Sequence, residues 1–176
     1  MTKRFFITMC AVIAVFATSV TACGDDDNNN TPNNNNDNNK VTQIKVEYDM
    51  EFPDVIYDYC DVTYTYIDAS GKEVTKTTSG NQSISFTMPI ELAVKEYYIK
   101  ANLTLKENMP TPDATAIYKV GHEMEIEIEE CNASGEELNK RKNESKAELS
   151  VKGDRLIEYL TKQTQNELST SLTYPF

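Results

Sequence analysis

Gln43-Ile44-Lys45-Val46-Glu47-Tyr48-Asp49-Met50-Glu51-Phe52 decides the fold class. Its even positions are apolar and its odd positions are polar or charged. Side chains of an extended chain point alternately to opposite faces, so the stretch predicts a strand with one buried and one wet face. A helix would scatter the same residues around its circumference. Pro53-Asp54 ends the run.

The same period recurs outward from this strand. Tyr57 to Ile67 sets Cys60, Val62, Tyr64 and Tyr66 on one face. Asp68-Ala69-Ser70-Gly71 reads as a hairpin turn into 73–78, and Gly80-Asn81 turns the chain again into 83–88. Glu96 to Lys106 buries Tyr97, Ile99, Ala101, Leu103 and Leu105. Pro110 and Pro112 mark a loop, after which Thr115 to Glu130 reads as one bent strand or two short ones around Gly121, a candidate bulge. Ala147 to Val151 adds a short strand. The period then changes: Gly153-Asp154 is a turn and N-cap, and Leu156, Ile157, Leu160, Thr164 and Leu168 share one side of a helix over about 155–168. That helix is expected on an open edge or end of the sheets. Residues 41–176 therefore predict one mainly β domain, an antiparallel β-sandwich with a C-terminal helix. The strand pattern resembles an immunoglobulin-type or transthyretin-type module, without the Trp that antibody domains set against their inter-sheet disulfide. A rival reading, an outer-membrane barrel ending on Phe176, fits poorly with acidic residues alternating on the outer face.

The chain before residue 41 reads as address and spacer. Lys3 and Arg4 precede a short apolar run, Phe5 to Phe16, and small residues follow to Ala22. This is an export signal too short for a permanent span, which needs about 20 apolar residues. Val20-Thr21-Ala22-Cys23 resembles the lipobox of bacterial lipoproteins, which implies cleavage after residue 22 and lipid on Cys23. The alternative is ordinary secretory cleavage with Cys23 incidental. Asp25-Asp26-Asp27 behind the cysteine resembles the surface-export signal of Bacteroidota lipoproteins, implying an outer-membrane protein at the cell surface. A plain linker in a periplasm-facing lipoprotein is the competing reading. Asn28 to Asn39 is almost wholly Asn and Asp around Thr31-Pro32, so 23–40 is expected to be the lipidated cysteine and a disordered tether.

Composition narrows the partners. The chain has 17 basic and 28 acidic residues, and loss of Lys3 and Arg4 with the signal leaves 15 against 28. Such a surface repels nucleic acid. Lys140-Arg141-Lys142, the one dense basic run, is expected in an exposed loop.

No catalytic set is expected, and no metal or cofactor. His122 is the single histidine, read as an exposed residue beside Gly121, and no Gly-x-Ser-x-Gly turn accompanies it. Glu123, Glu125, Glu127 and Glu129 occupy one face of a strand at roughly 7 Å spacing. That spacing suits an inverting glycosidase pair, but a solvated acidic face is the simpler reading. Tyr57, Tyr59 and Tyr98 fall on the outer register and are candidates for stacking on a sugar or anchoring a protein partner. Cys60 and Cys131 would meet an oxidising compartment and are expected to form a disulfide. The parity of Cys131 is out by one, and two separate buried thiols are the alternative. The sequence thus predicts a non-enzymatic surface lipoprotein serving as a binding module, accessory to glycan uptake or surface assembly. A structural or adhesive, fimbria-like subunit is the second reading, and an enzyme of unstated type the weakest.

Overall fold

The computed structural model describes residues 39–176. Cys23, Asp25, Asp26 and Asp27 lie outside the described residues. Eight strands form two four-stranded antiparallel sheets: β1 (Gln43–Glu51), β4 (Gln82–Pro89), β6 (Ile117–Cys131) and β7 (Glu137–Lys152) in the order β4-β1-β6-β7, and β2 (Cys60–Ile67), β3 (Glu73–Thr78), β5 (Glu96–Leu105) and β8 (Leu168–Thr173) in the order β3-β2-β5-β8. This is a β-sandwich, and among the described residues neither sheet closes on itself.

The alternation in the sequence is what the two sheets share. Ile44, Val46, Tyr48, Met50 and Phe52 are all buried, and they meet Met124, Ile126 and Ile128 of β6 within the first sheet. Val62, Tyr64, Tyr66, Tyr97, Ile99, Ala101 and Leu103 fill the core from the second. The buried Tyr48 hydroxyl donates to the Ile67 carbonyl at 2.9 Å, so a polar tip placed mid-core has its partner. Tyr48 and Tyr66 meet edge to face with centroids 5.6 Å apart.

Four local expectations are corrected. The run from Tyr57 begins as a helix, α1 (Asp54–Tyr59), before β2 starts at Cys60. Pro53 presets the backbone at its head, and the buried Ile56 and Tyr59 follow helical i, i+3 spacing, which a six-residue run cannot separate from alternation. The C-terminal helix, α2 (Gly153–Gln163), is shorter than expected. Leu168 leaves it and opens β8, which completes the second sheet beside β5. α2 buries Leu156 and Leu160 and touches strands of both sheets. β6 is a single strand, and its irregularity falls at Glu130/Cys131 instead of Gly121. Gly121 has φ +144°, and a Cβ there would run into the Ala147 carbonyl oxygen of β7. Close approach of two backbones is what demands the glycine. Finally, β7 spans 16 residues where a short strand was expected, and Lys140-Arg141-Lys142 lies within it.

Candidate functional site

β6 and β7 run past the end of β1. β1 is paired only to Glu51, opposite Glu123, whereas the β6–β7 ribbon continues to Ile117 and Lys152. The step so formed is an open cleft of about 330 Å³. Phe52 and Pro53 wall one side, while Val120, His122 and Ala147 of the ribbon make the other. Glu51, Glu123, Glu148, Lys119 and Lys146 form the rim, where Lys146 pairs with Glu123 at 2.5 Å and Lys119 with Glu148 at 3.0 Å.

His122 lies in this cleft in the inward register of β6, between Val120 and Met124, and is half-buried. This corrects its placement as an exposed residue. Its ring packs against Phe52 with centroids 6.5 Å apart, and Nε2 lies 3.1 Å from the Ser145 hydroxyl. Burial pushes the imidazole below its usual pKa, so near neutral pH it is an uncharged ring with one donor and one acceptor. An apolar aromatic floor with a polar handle and a charged rim is suited to holding a partially apolar ligand in one orientation. The sequence offered one signal for this place: parity alone puts His122 inward.

The sequence-predicted tyrosines do not converge. Tyr57, on α1, is half-buried and donates to Asn81 Oδ1 at 3.0 Å. Burial, then the carboxylates of Asp54 and Glu51, push its pKa up to about 12. Tyr59 is buried against Tyr118 and presents no surface. Tyr98 lies on β5 seven positions from Leu105, which pairs with Cys60 just after α1, so roughly 23 Å of strand separates it from Tyr57's end of the sandwich. Its hydroxyl donates to the Glu73 carboxylate, and the Lys100 ammonium covers its ring at 5.0 Å. The three residues therefore form no common platform.

Cys60 and Cys131 are free buried thiols. Cys131 stands opposite Gln43 at one end of β1, while Cys60 follows α1 beyond the other end. The eight steps of β1 between them span roughly 27 Å, against a limit of about 7 Å for a bridge. The expected disulfide is thus replaced by the alternative of two separate apolar fillers. Burial raises both thiols' pKa values, that of Cys60 to about 11.

The glutamate row is not a bare solvated face. Across from it on β7, Lys140 reaches Glu127 at 2.5 Å and Glu129 at 3.2 Å, Lys142 reaches Glu125 at 2.9 Å and Lys146 reaches Glu123. Lys45 of β1 lies 3.0 Å from Glu47 and 3.4 Å from Glu129. Glu47, Glu127 and Glu129 approach one another closely enough to hold a cation. The Lys45 and Lys140 ammonium groups already supply positive charge there. Burial pushes Glu129 up, but these two amines outweigh it and hold the carboxyl below its usual value.

Compared with protein-family models, curated proteins and solved structures, the chain matches none. The two antiparallel sheets place the chain in the broad class of β-sandwich proteins.

Proposed function

We propose that this chain is a non-enzymatic lipoprotein, anchored in the outer membrane by lipid on Cys23 and displayed at the cell surface, whose sandwich is a binding module for a glycan or protein partner. The observation that carries the binding role is the position of the Phe52–His122 cleft. The tether expected from the sequence joins the domain just before Gln43, and the cleft opens where β1 ends at Glu51, roughly 27 Å away along the strand. A ligand site at the end remote from an anchor is the one a partner outside the membrane reaches first. The lipobox at Val20-Thr21-Ala22-Cys23 and the acidic Asp25-Asp26-Asp27 support the address.

The test is equilibrium binding of the mature protein to a panel of cell-surface oligosaccharides and to peptides. Saturable binding that falls at least about tenfold in Ala147→Trp, which fills the cleft, supports the reading; a tenfold loss corresponds to about 1.4 kcal/mol. Saturable binding untouched by Ala147→Trp removes the cleft from the account. Acyl labelling of the wild type that is lost in Cys23→Ala tests the anchor separately. Protease added to intact cells tests the surface address, with Asp25, Asp26 and Asp27 replaced by Ala as the comparison. A structural or adhesive role is the second reading, and one observation favours it: β7 is 16 residues long and, among the described residues, pairs on one side only.

A further inference from the structure

We propose that the outer edge of β7, unpaired among the described residues, is the docking surface for a second copy of this chain, pairing antiparallel about Ser145 to join the two β4-β1-β6-β7 sheets into one of eight strands. Long unpaired edges invite added strands, and proteins commonly blunt them with lysine. On β7 the lysines are not unopposed, because Lys140, Lys142 and Lys146 each pair with a glutamate of β6. What the edge presents is charge of alternating sign.

That pattern selects a register. Directly opposed residues of an antiparallel pair share a face, and like charges set opposite destabilise. With Ser145 opposite Ser145 of the second copy, Glu144 faces Lys146 and Lys142 faces Glu148, and symmetry repeats both pairs. Moving the register by one face-preserving step sets Lys142 against Lys146 in one direction and Glu144 against Glu148 in the other. The complementary register overlaps Leu138 through Lys152, nearly the whole strand. Glu144 also has a long ion pair within its own chain, to Lys142 at 4.0 Å, and so gains from a closer lysine.

Apolar surface points the same way. Leu149 is 49% exposed, and in this register it faces Arg141 of the second copy, whose guanidinium stacks on its own Phe176 at 5.1 Å. The partner's Arg141 and Phe176 would cover Leu149, and the reverse. Antiparallel pairing places the two tether junctions at opposite ends of the pair. The 17 residues of 24–40 have a contour length on the order of 55–60 Å, which exceeds the roughly 50 Å of paired strand between the two junctions, so both anchors can meet one membrane.

Cysteine scanning of the full lipoprotein in membranes tests the register. Ser145→Cys is expected to give a disulfide-linked pair on a non-reducing gel, and Asn143→Cys is not. The double variant Asn143→Cys with Ala147→Cys restores the link, because those two positions face each other across the pair. Absence of the Ser145→Cys link, or an equal yield from Asn143→Cys alone, overturns the proposal. Light scattering of the detergent-extracted protein gives an independent readout: two chains for the wild type, and one for Glu144→Lys with unchanged circular dichroism. A wild type that is a single chain, or that forms a ladder of higher assemblies, also overturns it.

Discussion

β6 and β7 are neighbours in one ribbon, paired residue for residue from Ile117↔Lys152 to Glu130↔Asn139, yet they are built from different material. β6 buries Val120, Met124, Ile126 and Ile128 and ends on the buried Cys131. In β7 only Val151 is buried and Ser145 half-buried, with every other residue exposed. One strand is held by its core face; the other is held by a backbone ladder and a row of ion pairs. The difference shows that a strand needs a partner edge more than it needs an apolar face of its own.

The sharpest way to break the pairing is at its closest approach. Gly121→Ala would force a Cβ into the Ala147 carbonyl at a φ that L residues rarely adopt. The combined strain and overpacking should cost about 3–5 kcal/mol. Urea denaturation of the variant checks this, and a midpoint within error of the wild type would mean that the two backbones can separate freely at this point. Next comes the contrast between directly opposed side chains. Ile128→Ala should cost about 3 kcal/mol, because it leaves a hole in the core. Arg141→Ala, its partner across the ladder, removes the stacking on Phe176 and should cost about 0.5–1 kcal/mol. Equal losses from the two would refute the division of labour between the strands.

The same contrast explains what was legible. Strands with one wet and one apolar face announced themselves: β1, β5 and the inward residues of β6 fell where alternation put them, and the sandwich followed. β7 carries no apolar period from Glu137 to Lys146, so its strand character lives in β6's need for a partner and in charges that match across the ladder. β8 was hidden because Leu168 fits both the last turn of a helix and the first residue of a strand. α1 was hidden because six residues are too few to tell periods of 2 and 3.6 apart. The cleft was legible only as parity, through His122. Its other wall depends on where β1 stops relative to β6, a register that no local pattern encodes.

Lys140 sharpens the comparison further. It bridges Glu127 and Glu129, and these contacts raise its pKa above the usual lysine value. Lys140→Ala should destabilise less than Ile128→Ala, and the loss should shrink in about 1 M salt, where exposed charges are screened within roughly 3 Å. Ile128→Ala should keep its full effect there. Parallel urea titrations at low and high salt check both, and a Lys140→Ala loss that is indifferent to salt would show that the side chain acts by packing alone.

The smallest expected effect concerns pH, and it singles out His122 in the inward register of β6. Burial lowers the His122 pKa below the unperturbed value of about 6.5. In the window between the folded value and about 6.5 the unfolded chain therefore binds more protons than the folded one. Stability is whole above about pH 6.5 and declines as pH falls through that window, because the proton favours the unfolded state. Carboxylates held below their usual values, such as Glu129 with its two lysines and Glu148 with Lys119, contribute in a separate and lower range. Their stabilisation is present above about pH 4.5 and is lost below it. Replacing His122 with Gln keeps a polar side chain in reach of Ser145 but removes the titration. Denaturation midpoints of wild type and His122→Gln between about pH 7.5 and 5.5 should diverge, the wild type falling and the variant holding nearly level. Parallel slopes for the two proteins would show that the cleft admits enough water to solvate the imidazolium, and that the step at the end of β1 is wetter than its walls of Phe52, Pro53 and Val120 imply.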